Sequence, residues 1–451
     1  MKINRIFLFA IVGIHFISAS VAQENHNHHE DSERETSERL FPARKIPDRV
    51  TQSITEDPST QIALSWRVSE SINTGYAEYL PLSAGSEFRD KIQTKDATQI
   101  PVEFEGVTDH YFHVNIGDLR ADTKYQVRVG GKDYRSEWFH VQTAPESFEP
   151  FSFLHFAGVQ HNIMEFGPRV YRIAFKNFPE ARFTLHSGDI VQARGGDNDW
   201  GELLYAGSWM FSKIPVLPAA GNSDHWEMIT DISEHRILYP QWNGVFNLPD
   251  NHPPNLENLA YYSNFPGVRV ITLYSGLEAV RPERNMYLNK DIKMSPEIFH
   301  QQMEWLEKIL AENNQPWTVV HLHHPILSAR VDRSYEMHKK FIKPILEKYK
   351  VDLVLQGHEH LYARGYDKTN KTSFPVYVTS KAGPRSKEID PSRKWLQKTL
   401  GKMQLYQVVH VSPQKLKVEA YNLKGDLVDA FEIRKDDQNR KKLIDQPSSG
   451  W

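Results

Sequence analysis

Short alternating segments of apolar and polar residues run from residue 47 to about residue 143. Turn-forming residues separate these segments, and an alternation of period two is typical of half-buried β-strands. The stretch that ends at Tyr125 resembles a tyrosine corner, in which a tyrosine hydroxyl bonds to backbone upstream. We therefore predict an immunoglobulin-like or fibronectin-type β-sandwich over residues 46–145. Its predicted strands include 62–68, 111–114, 125–129 and 136–143.

The hydrophobic pattern changes at Phe151. Apolar runs of strand length now alternate with stretches whose apolar residues recur at helical spacing, as in 301–312 and 335–349. This alternation predicts a layered α/β domain over residues 151–434, which returns to a β pattern after Gln404. Residues 435–451 are mostly polar and are predicted to be a tail. The predicted strands of the α/β part are 151–157, 182–186, 216–218, 268–273, 317–322, 351–355 and 376–379.

The first 22 residues resemble a secretory signal, with a basic start, a short apolar run and a small-x-small cleavage site before Gln23. We expect export, to a periplasm or to the outside of the cell. Residues 23–45 are polar and contain His26, His28 and His29. A metal-scavenging tail is one interpretation of these histidines, and a solvated linker is the interpretation we favour, because nothing around them can pack.

The composition excludes several kinds of protein. With 39% hydrophobic residues, 25% charged residues and a net charge of −3, nothing predicts a basic nucleic-acid surface. Apart from the short N-terminal run, no segment is long and apolar enough to predict a stable membrane span. The chain has no cysteine, so thiol catalysis and thiolate metal sites are excluded. The sequence leaves the oligomeric state open.

Polar residues that can bind metals follow four of the predicted strands. Because the carboxyl ends of strands in α/β sheets are where ligands bind, we expect these residues to converge. One carboxylate, one amide and several imidazoles suit zinc, manganese or iron, with one or two ions per chain. The residues are Gly188-Asp189, Gly221-Asn222, His323 with Pro325, and Gly357-His358-Glu359-His360.

With these motifs in this order, the chain resembles a calcineurin-like metallophosphoesterase and, within that superfamily, a purple acid phosphatase. The resemblance implies a four-layer α/β/β/α domain after the sandwich. It also implies that Asp189 bridges two metals, that Asn222, His323 and His358 complete one of them, and that His360 binds the other. Two such cations activate a water for attack on phosphorus, so no protein nucleophile is needed.

The chain departs from the family pattern at three positions. Gly158 stands where the family has its first aspartate, Gln192 replaces the colour-giving tyrosine, and Ser223 replaces a histidine that contacts phosphate or the leaving group. Three hypotheses remain: a single-metal hydrolase, a two-metal enzyme in which His161 or Gln160 replaces the aspartate, or a family member that binds an anionic ligand without turnover. His225 is a candidate for the lost histidine, although an ordinary loop histidine is the interpretation we favour.

Three further residues are catalytic candidates. His324 adjoins the predicted ligand His323, and Arg330 and Arg333 follow in the next loop. Contact with phosphate is one interpretation of each, since the family resemblance implies that this loop can carry phosphate-contacting side chains. A supporting or solvated side chain is the other interpretation, and it is the one we favour for the two arginines. The sequence as a whole predicts an exported phosphoesterase that acts on a small phosphate mono- or diester. The alternative is a catalytically impaired relative that binds a phosphorylated or anionic ligand.

Overall fold

A computed structural model describes most of the chain from residue 38 to residue 447. The predicted signal and the histidines at 26, 28 and 29 lie outside the described residues. Contacts divide the chain into residues 1–39 and 40–451, and everything below concerns the second unit. No helix in the described part is long and apolar enough to cross a membrane. The interior gaps in the description are residues 230–233, 277–279, 282–285, 288–295 and 371–373.

The N-terminal part is the predicted β-sandwich. One sheet has the order β1-β2-β6-β5 and the other β4-β3-β7-β8. Apolar side chains on alternate positions meet between the sheets, with Trp66 stacked on Phe112 at 5.5 Å between ring centroids. The strands are β1 Asp48–Ser53, β2 Ile62–Ser69, β3 Tyr76–Pro81, β4 Gln93–Asp96, β5 Thr98–Phe104, β6 Val107–Ile116, β7 Lys124–Gly130 and β8 Phe139–Gln142, with a 3-10 helix at Ser86–Lys91.

The α/β part begins with three parallel strands and two helices. Its first elements are β9 Phe151–Phe156, α1 Ile163–Asn177, β10 Thr184–Ser187, α2 Gly196–Phe211, β11 Val216–Ala219, a 3-10 turn at Asn222–Asp224, β12 His225–Ile229, β13 Glu234–Leu238 and α3 Pro240–Val245. The middle elements are β14 Tyr261–Phe265, β15 Val268–Thr272, β16 Val280–Arg281, β17 Met286–Tyr287, α4 Pro296–Ala311, β18 Trp317–Leu322, a π-helical turn His338–Ile342 and α5 Lys343–Lys348. The last are β19 Leu353–Gln356, β20 Tyr362–Gly365, β21 Val376–Thr379, β22 Leu396–Leu400, β23 Leu405–Val411, β24 Lys415–Asn422, β25 Leu427–Lys435 and β26 Lys441–Asp445.

Two large sheets form the centre of the α/β part. The first has eleven strands in the order β26-β25-β24-β23-β9-β10-β11-β1-β2-β6-β5, and the second has seven in the order β14-β15-β18-β19-β21-β20-β22. β9, β10 and β11 are parallel neighbours in the first sheet, and β15, β18, β19 and β21 are parallel neighbours in the second. The carboxyl ends of these strands are the edges that carry the predicted ligands.

Helices cover the outer faces of the sheets and aromatic side chains fill the space between them. Tyr171 of α1 packs edge-on against Phe156 of β9 at 5.1 Å between centroids. Across the sheets, Phe151 of β9 meets Phe265 of β14 at 4.3 Å. On the other side, Gln302 of α4 accepts a hydrogen bond from the backbone of Tyr274, just after β15. The four-layer α/β/β/α arrangement that the resemblance implies is confirmed.

The sandwich and the α/β part share one continuous sheet. β1 runs parallel to β11, with Ser53 opposite Val216. A buried ion pair reinforces the junction, because Arg49 of β1 contacts Asp197 at the start of α2 at 2.8 Å. The apolar run at 216–218 predicts β11, but it carries no information about which distant strand becomes its partner.

The predicted polar tail of residues 435–451 needs correction. Residues 441–445 form β26, which pairs antiparallel with β25 at the edge of the larger sheet. Lys441 is buried and lies 3.3 Å from the Asp352 carboxylate, and Asp445 accepts a hydrogen bond from Arg364. The polar residues Lys441 and Asp445 can form a strand here because Asp352 and Arg364, two buried charged residues of the α/β part, are their partners.

The tyrosine corner gives a test of the sandwich. The backbone N–H of Arg120 donates to the buried Tyr125 hydroxyl at 2.9 Å. Tyr125→Phe leaves that N–H without its partner, so we expect a loss of about 1–2 kcal/mol of unfolding free energy in urea titrations. Tyr205→Phe, at a tyrosine that is 70% exposed, is the matched control and should change nothing. Equal stability of the two variants would contradict this account of the corner.

Candidate metal centre

The predicted ligands leave the ends of strands in both sheets. Asp189 follows β10 and Asn222 follows β11 in the first sheet, while His323 follows β18 and His358 and His360 follow β19 in the second. Parallel neighbours end at the same edge, so each sheet delivers its side chains to one place. The two edges face each other, and Asp189, Asn222 and His358 each place a side-chain atom within 3.2 Å of Nε2 of His323.

The His323 ring is held by its other nitrogen. Nδ1 lies 2.9 Å from the carbonyl oxygen of Ser187, and because a carbonyl only accepts, Nδ1 carries the proton. In the neutral ring Nε2 is then an acceptor. Asn222 Oδ1 lies 3.1 Å from it, His358 Nδ1 3.0 Å and Asp189 Oδ1 3.2 Å. Each of these three atoms can bind a metal, as Nε2 itself can.

These distances fit a metal ion. Four ligands at about 2.1 Å from a tetrahedral metal stand about 3.4 Å apart, close to the separations around His323 Nε2. Two imidazoles, a carboxylate and an amide oxygen form a borderline-to-hard donor set that suits zinc, manganese or iron. Burial opposes a charge on His323, but the Asp189 carboxylate outweighs it and raises the pKa of His323. A proton therefore competes with a metal for this nitrogen, and metal affinity falls at lower pH.

The backbone at the ligands is strained. Asp189, His358 and His360 have φ values of 53°, 67° and 53°, in the left-handed region that side chains other than glycine rarely adopt. His358 and His360 thus both adopt left-handed backbone in the bend that follows β19. Position 188 requires glycine for two reasons. Its φ is 75°, and a Cβ there would lie only 2.4 Å from His323 Nδ1.

A buried carboxylate, Asp224, ties two ligand loops together. Its Oδ2 accepts from the backbone N–H groups of Asp189 and Gly221, at 2.8 and 2.7 Å. Its Oδ1 accepts from Ile190 and Val191, at 2.8 and 3.2 Å. Burial and the nearby Asp189 carboxylate raise the pKa of Asp224, while these four donors favour the ionised form. Asp224 therefore fixes the loop of Asp189 to the loop that contains Asn222.

Glu359 performs a similar task in the second sheet. It lies between the two histidines of the predicted motif but points away from them, and it is fully buried. It accepts hydrogen bonds from the Ser328 hydroxyl and from the backbone N–H of Ala329, the latter at 2.8 Å. The loop that carries Arg330 is thereby anchored to the turn that carries His358.

The two candidate arginines differ in their surroundings. Arg330 is paired with Asp332, through Nε at 2.8 Å and Nη2 at 2.5 Å. Arg333 lies 3.5 Å from the hydroxyl of Tyr335, whose ring is 6.2 Å from that of His358. Burial lowers the pKa of His358, and the positive charge of Arg333 lowers it further. Arg333 therefore lies near enough to His358, one of the predicted ligands, for its charge to act on that ring.

His324 lies against the centre as well. Its ring centroid is 4.8 Å from that of His323 and 4.4 Å from that of His358. The ligand atoms of these three histidines all lie within 4.8 Å of one another. Ser275 holds the ring, since its hydroxyl lies 3.2 Å from His324 Nδ1. Burial keeps the pKa of His324 well below its usual range, so the ring is neutral and can act as a ligand or as a hydrogen-bonding partner.

The replaced positions have ordinary structural partners. The Ser223 backbone N–H donates to Asp189 Oδ1 at 2.8 Å. His161 Nδ1 lies 2.6 Å from Gln192 Oε1, and the ring of His161 is 6.4 Å from that of His360. His225 bonds Gly221 O and Tyr274 Oη through its two ring nitrogens, at 2.8 and 3.0 Å. Those bonds favour an ordinary loop histidine at position 225.

Two family models match the chain. Residues 47–143 match the N-terminal domain of purple acid phosphatases, and residues 161–362 match the calcineurin-like phosphoesterase model, a region that contains all five predicted ligands. The chain combines these two domains. The match to the phosphoesterase domain begins just after Gly158 and Gln160, the part of the site that departs from the family pattern.

Known proteins support this assignment. An uncharacterised protein of Mycobacterium tuberculosis is 22% identical over 76% of this chain and 66% of its own length. An Arabidopsis thaliana Fe(3+)-Zn(2+) purple acid phosphatase is 25% identical over 64% of this chain and 63% of its own length. This chain therefore spans just under two thirds of either relative. The structure of a purple acid phosphatase from yellow lupin seeds shares the fold, with a TM-score of 0.70, 15% identity and coverage of 88% of this chain and 75% of that one.

Two supporting residues were missed by the sequence reasoning. Asp224 and Glu359 both stand inside recognised motifs, in Gly221-Asn222-Ser223-Asp224 and in Gly357-His358-Glu359-His360. A charged residue that is flanked by ligands and follows a buried strand is a signal that could have identified them. Their partners are backbone groups from other loops, which the sequence pattern does not reveal.

Asp224 gives a test of the centre. In Asp224→Asn the amide nitrogen replaces one oxygen and faces two backbone N–H donors, so the loops of Asp189 and Asn222 separate. We expect metal affinity to fall about 10- to 100-fold, as for other supporting residues of metal sites, measured by competition with a chelator. Asp250→Asn is the control, because that side chain is 98% exposed. An unchanged affinity in Asp224→Asn would contradict the role of this carboxylate.

Proposed function

We propose that this chain is an exported, metal-dependent phosphoesterase that hydrolyses phosphate mono- or diesters with an activated water. The observation that carries the proposal is the position of three side-chain atoms, from Asp189, Asn222 and His358, within 3.2 Å of His323 Nε2 in a calcineurin-like phosphoesterase domain. The signal-like sequence of residues 1–22 supports export. The substrate is a small phosphorylated molecule.

Asp189, Asn222, His323 and His358 would hold the metal. A cation bound there supplies a Lewis acid that polarises a phosphoryl oxygen and acidifies a water. Ser187 keeps the acceptor nitrogen of His323 directed at the centre, and Asp224 keeps Asp189 in place. Because water is the nucleophile, the absence of cysteine from the sequence is no obstacle to this chemistry.

Arg333 and His324 would position the phosphate. Arg333 is largely buried, and its Nε has no hydrogen-bond partner in the part of the chain that the structure describes. An arginine donor beside a metal centre suits phosphate oxygens, which it can bind with two parallel hydrogen bonds. The neutral ring of His324 supplies a further donor or acceptor. Arg330 would contribute mainly charge, since Asp332 already occupies two of its nitrogens.

The second candidate function is binding of a phosphorylated or anionic ligand without turnover. The observations that favour it are Gly158 and Ser223, which supply neither a carboxylate nor an imidazole where the family pattern has them. The arginine and histidine side chains around the centre serve either function. Only turnover separates the two.

Metal content together with hydrolysis of an aryl phosphate tests the proposal. Protein supplied with zinc, manganese or iron should retain metal and turn over the aryl phosphate. Asp189→Asn should lower kcat at least about 100-fold, because it weakens a charge interaction worth several kcal/mol. Asp250→Asn is again the control. Bound metal without turnover would favour the binding function, and no bound metal with any of the three ions would contradict the proposal.

A further inference from the structure

The Asp189 carboxylate has two sides, and only one of them faces the complete ligand set. Oδ1 lies 3.2 Å from His323 Nε2. Oδ2 faces the end of β9, where Gly158 has no side chain. A second cation at Oδ2 would have the His360 imidazole beside it, but no carboxylate of its own from the end of β9. The residues on this side do not fit a second divalent or trivalent ion.

The amide of Gln160 occupies this place. Its Nε2 donates to Asp189 Oδ2 at 2.7 Å, and the side chain is almost fully buried. Its Oε1 has no hydrogen-bond partner among the described residues, and it lies 3.1 Å from where a Cβ on Gly158 would stand. The amide thus fills the space that a side chain at position 158 would enter. The backbone fixes it as well, since the N–H of Gln160 donates to the carbonyl of Asp189 at 3.1 Å.

Another histidine lies near His360 on this side, since the ring centroids of His161 and His360 are 6.4 Å apart. His161 is bonded through Nδ1 to Gln192 Oε1, and an imidazole supplies no negative charge to a second cation.

We propose that the Gln160 amide takes the place of a second metal, so that the centre holds one ion. The side-chain N–H of Gln160 donates a hydrogen bond to Asp189 Oδ2. Asp189 Oδ1 remains directed at the ion held by Asn222, His323 and His358. Gln160 is in this sense a positioning residue. The inference rests on the proposed function, because it concerns the number of ions in the same centre.

The substitution Gln160→Glu tests this proposal with almost no change in shape. It replaces the donor by a carboxylate oxygen about 2.7 Å from Asp189, a separation at which two carboxylates repel strongly unless a cation lies between them. After saturation with manganese and removal of free ion, we expect one metal per chain in the wild type and two in Gln160→Glu. Electron paramagnetic resonance should show a coupled manganese pair only in the variant.

Gln160→Ala is the matched control, since it removes the amide without adding charge, and it should retain one metal. Two ions per chain in the wild type would overturn the proposal, because Gln160 would then bind the second ion through Oε1. One ion in Gln160→Glu would also overturn it. A wild type that binds no manganese, zinc or iron would contradict the proposed function itself, which is a distinguishable result.

Discussion

The rest of the site depends on the close approach of three side-chain atoms, from Asp189, Asn222 and His358, to Nε2 of His323, each within 3.2 Å. Because the Nδ1 proton of His323 is directed at the carbonyl oxygen of Ser187, Nε2 of the neutral ring can bind a cation. The two sheets, their parallel strands and the loops after them all serve to hold these atoms together. Without the ion, a proton on His323 is the cheapest replacement, which links metal binding to pH.

The convergence of the predicted ligands depends on two buried carboxylates, Asp224 and Glu359, that are not themselves predicted ligands. Asp224 collects four backbone N–H groups from the loops of the first sheet, and Glu359 anchors the loop of Ala329 in the second. The left-handed backbone of Asp189 and His358 is unfavourable by itself. It persists because these hydrogen bonds and the packed strands behind them leave the loops no alternative position.

Much of the fold and of the candidate site was predictable, because strand ends and metal-binding residue types are local features of the sequence. The sandwich, the α/β pattern and the residues Asp189, Asn222, His323 and His358 followed from them. Pairings between distant segments were not predictable, which is why the junction of β1 with β11 and the strand at 441–445 were missed. The same limit applies to Gln160. The sequence offered it as a substitute ligand, but whether its amide gives a proton to Asp189 or an oxygen to a metal depends on three-dimensional contacts.

The most direct test is a crystal structure of the zinc-loaded protein with anomalous scattering recorded at the zinc edge. The account predicts one peak, about 2.0–2.2 Å from His323 Nε2, His358 Nδ1 and the oxygens of Asp189 and Asn222. A protein without a peak at that position, or with its only peak beside His360, would contradict it.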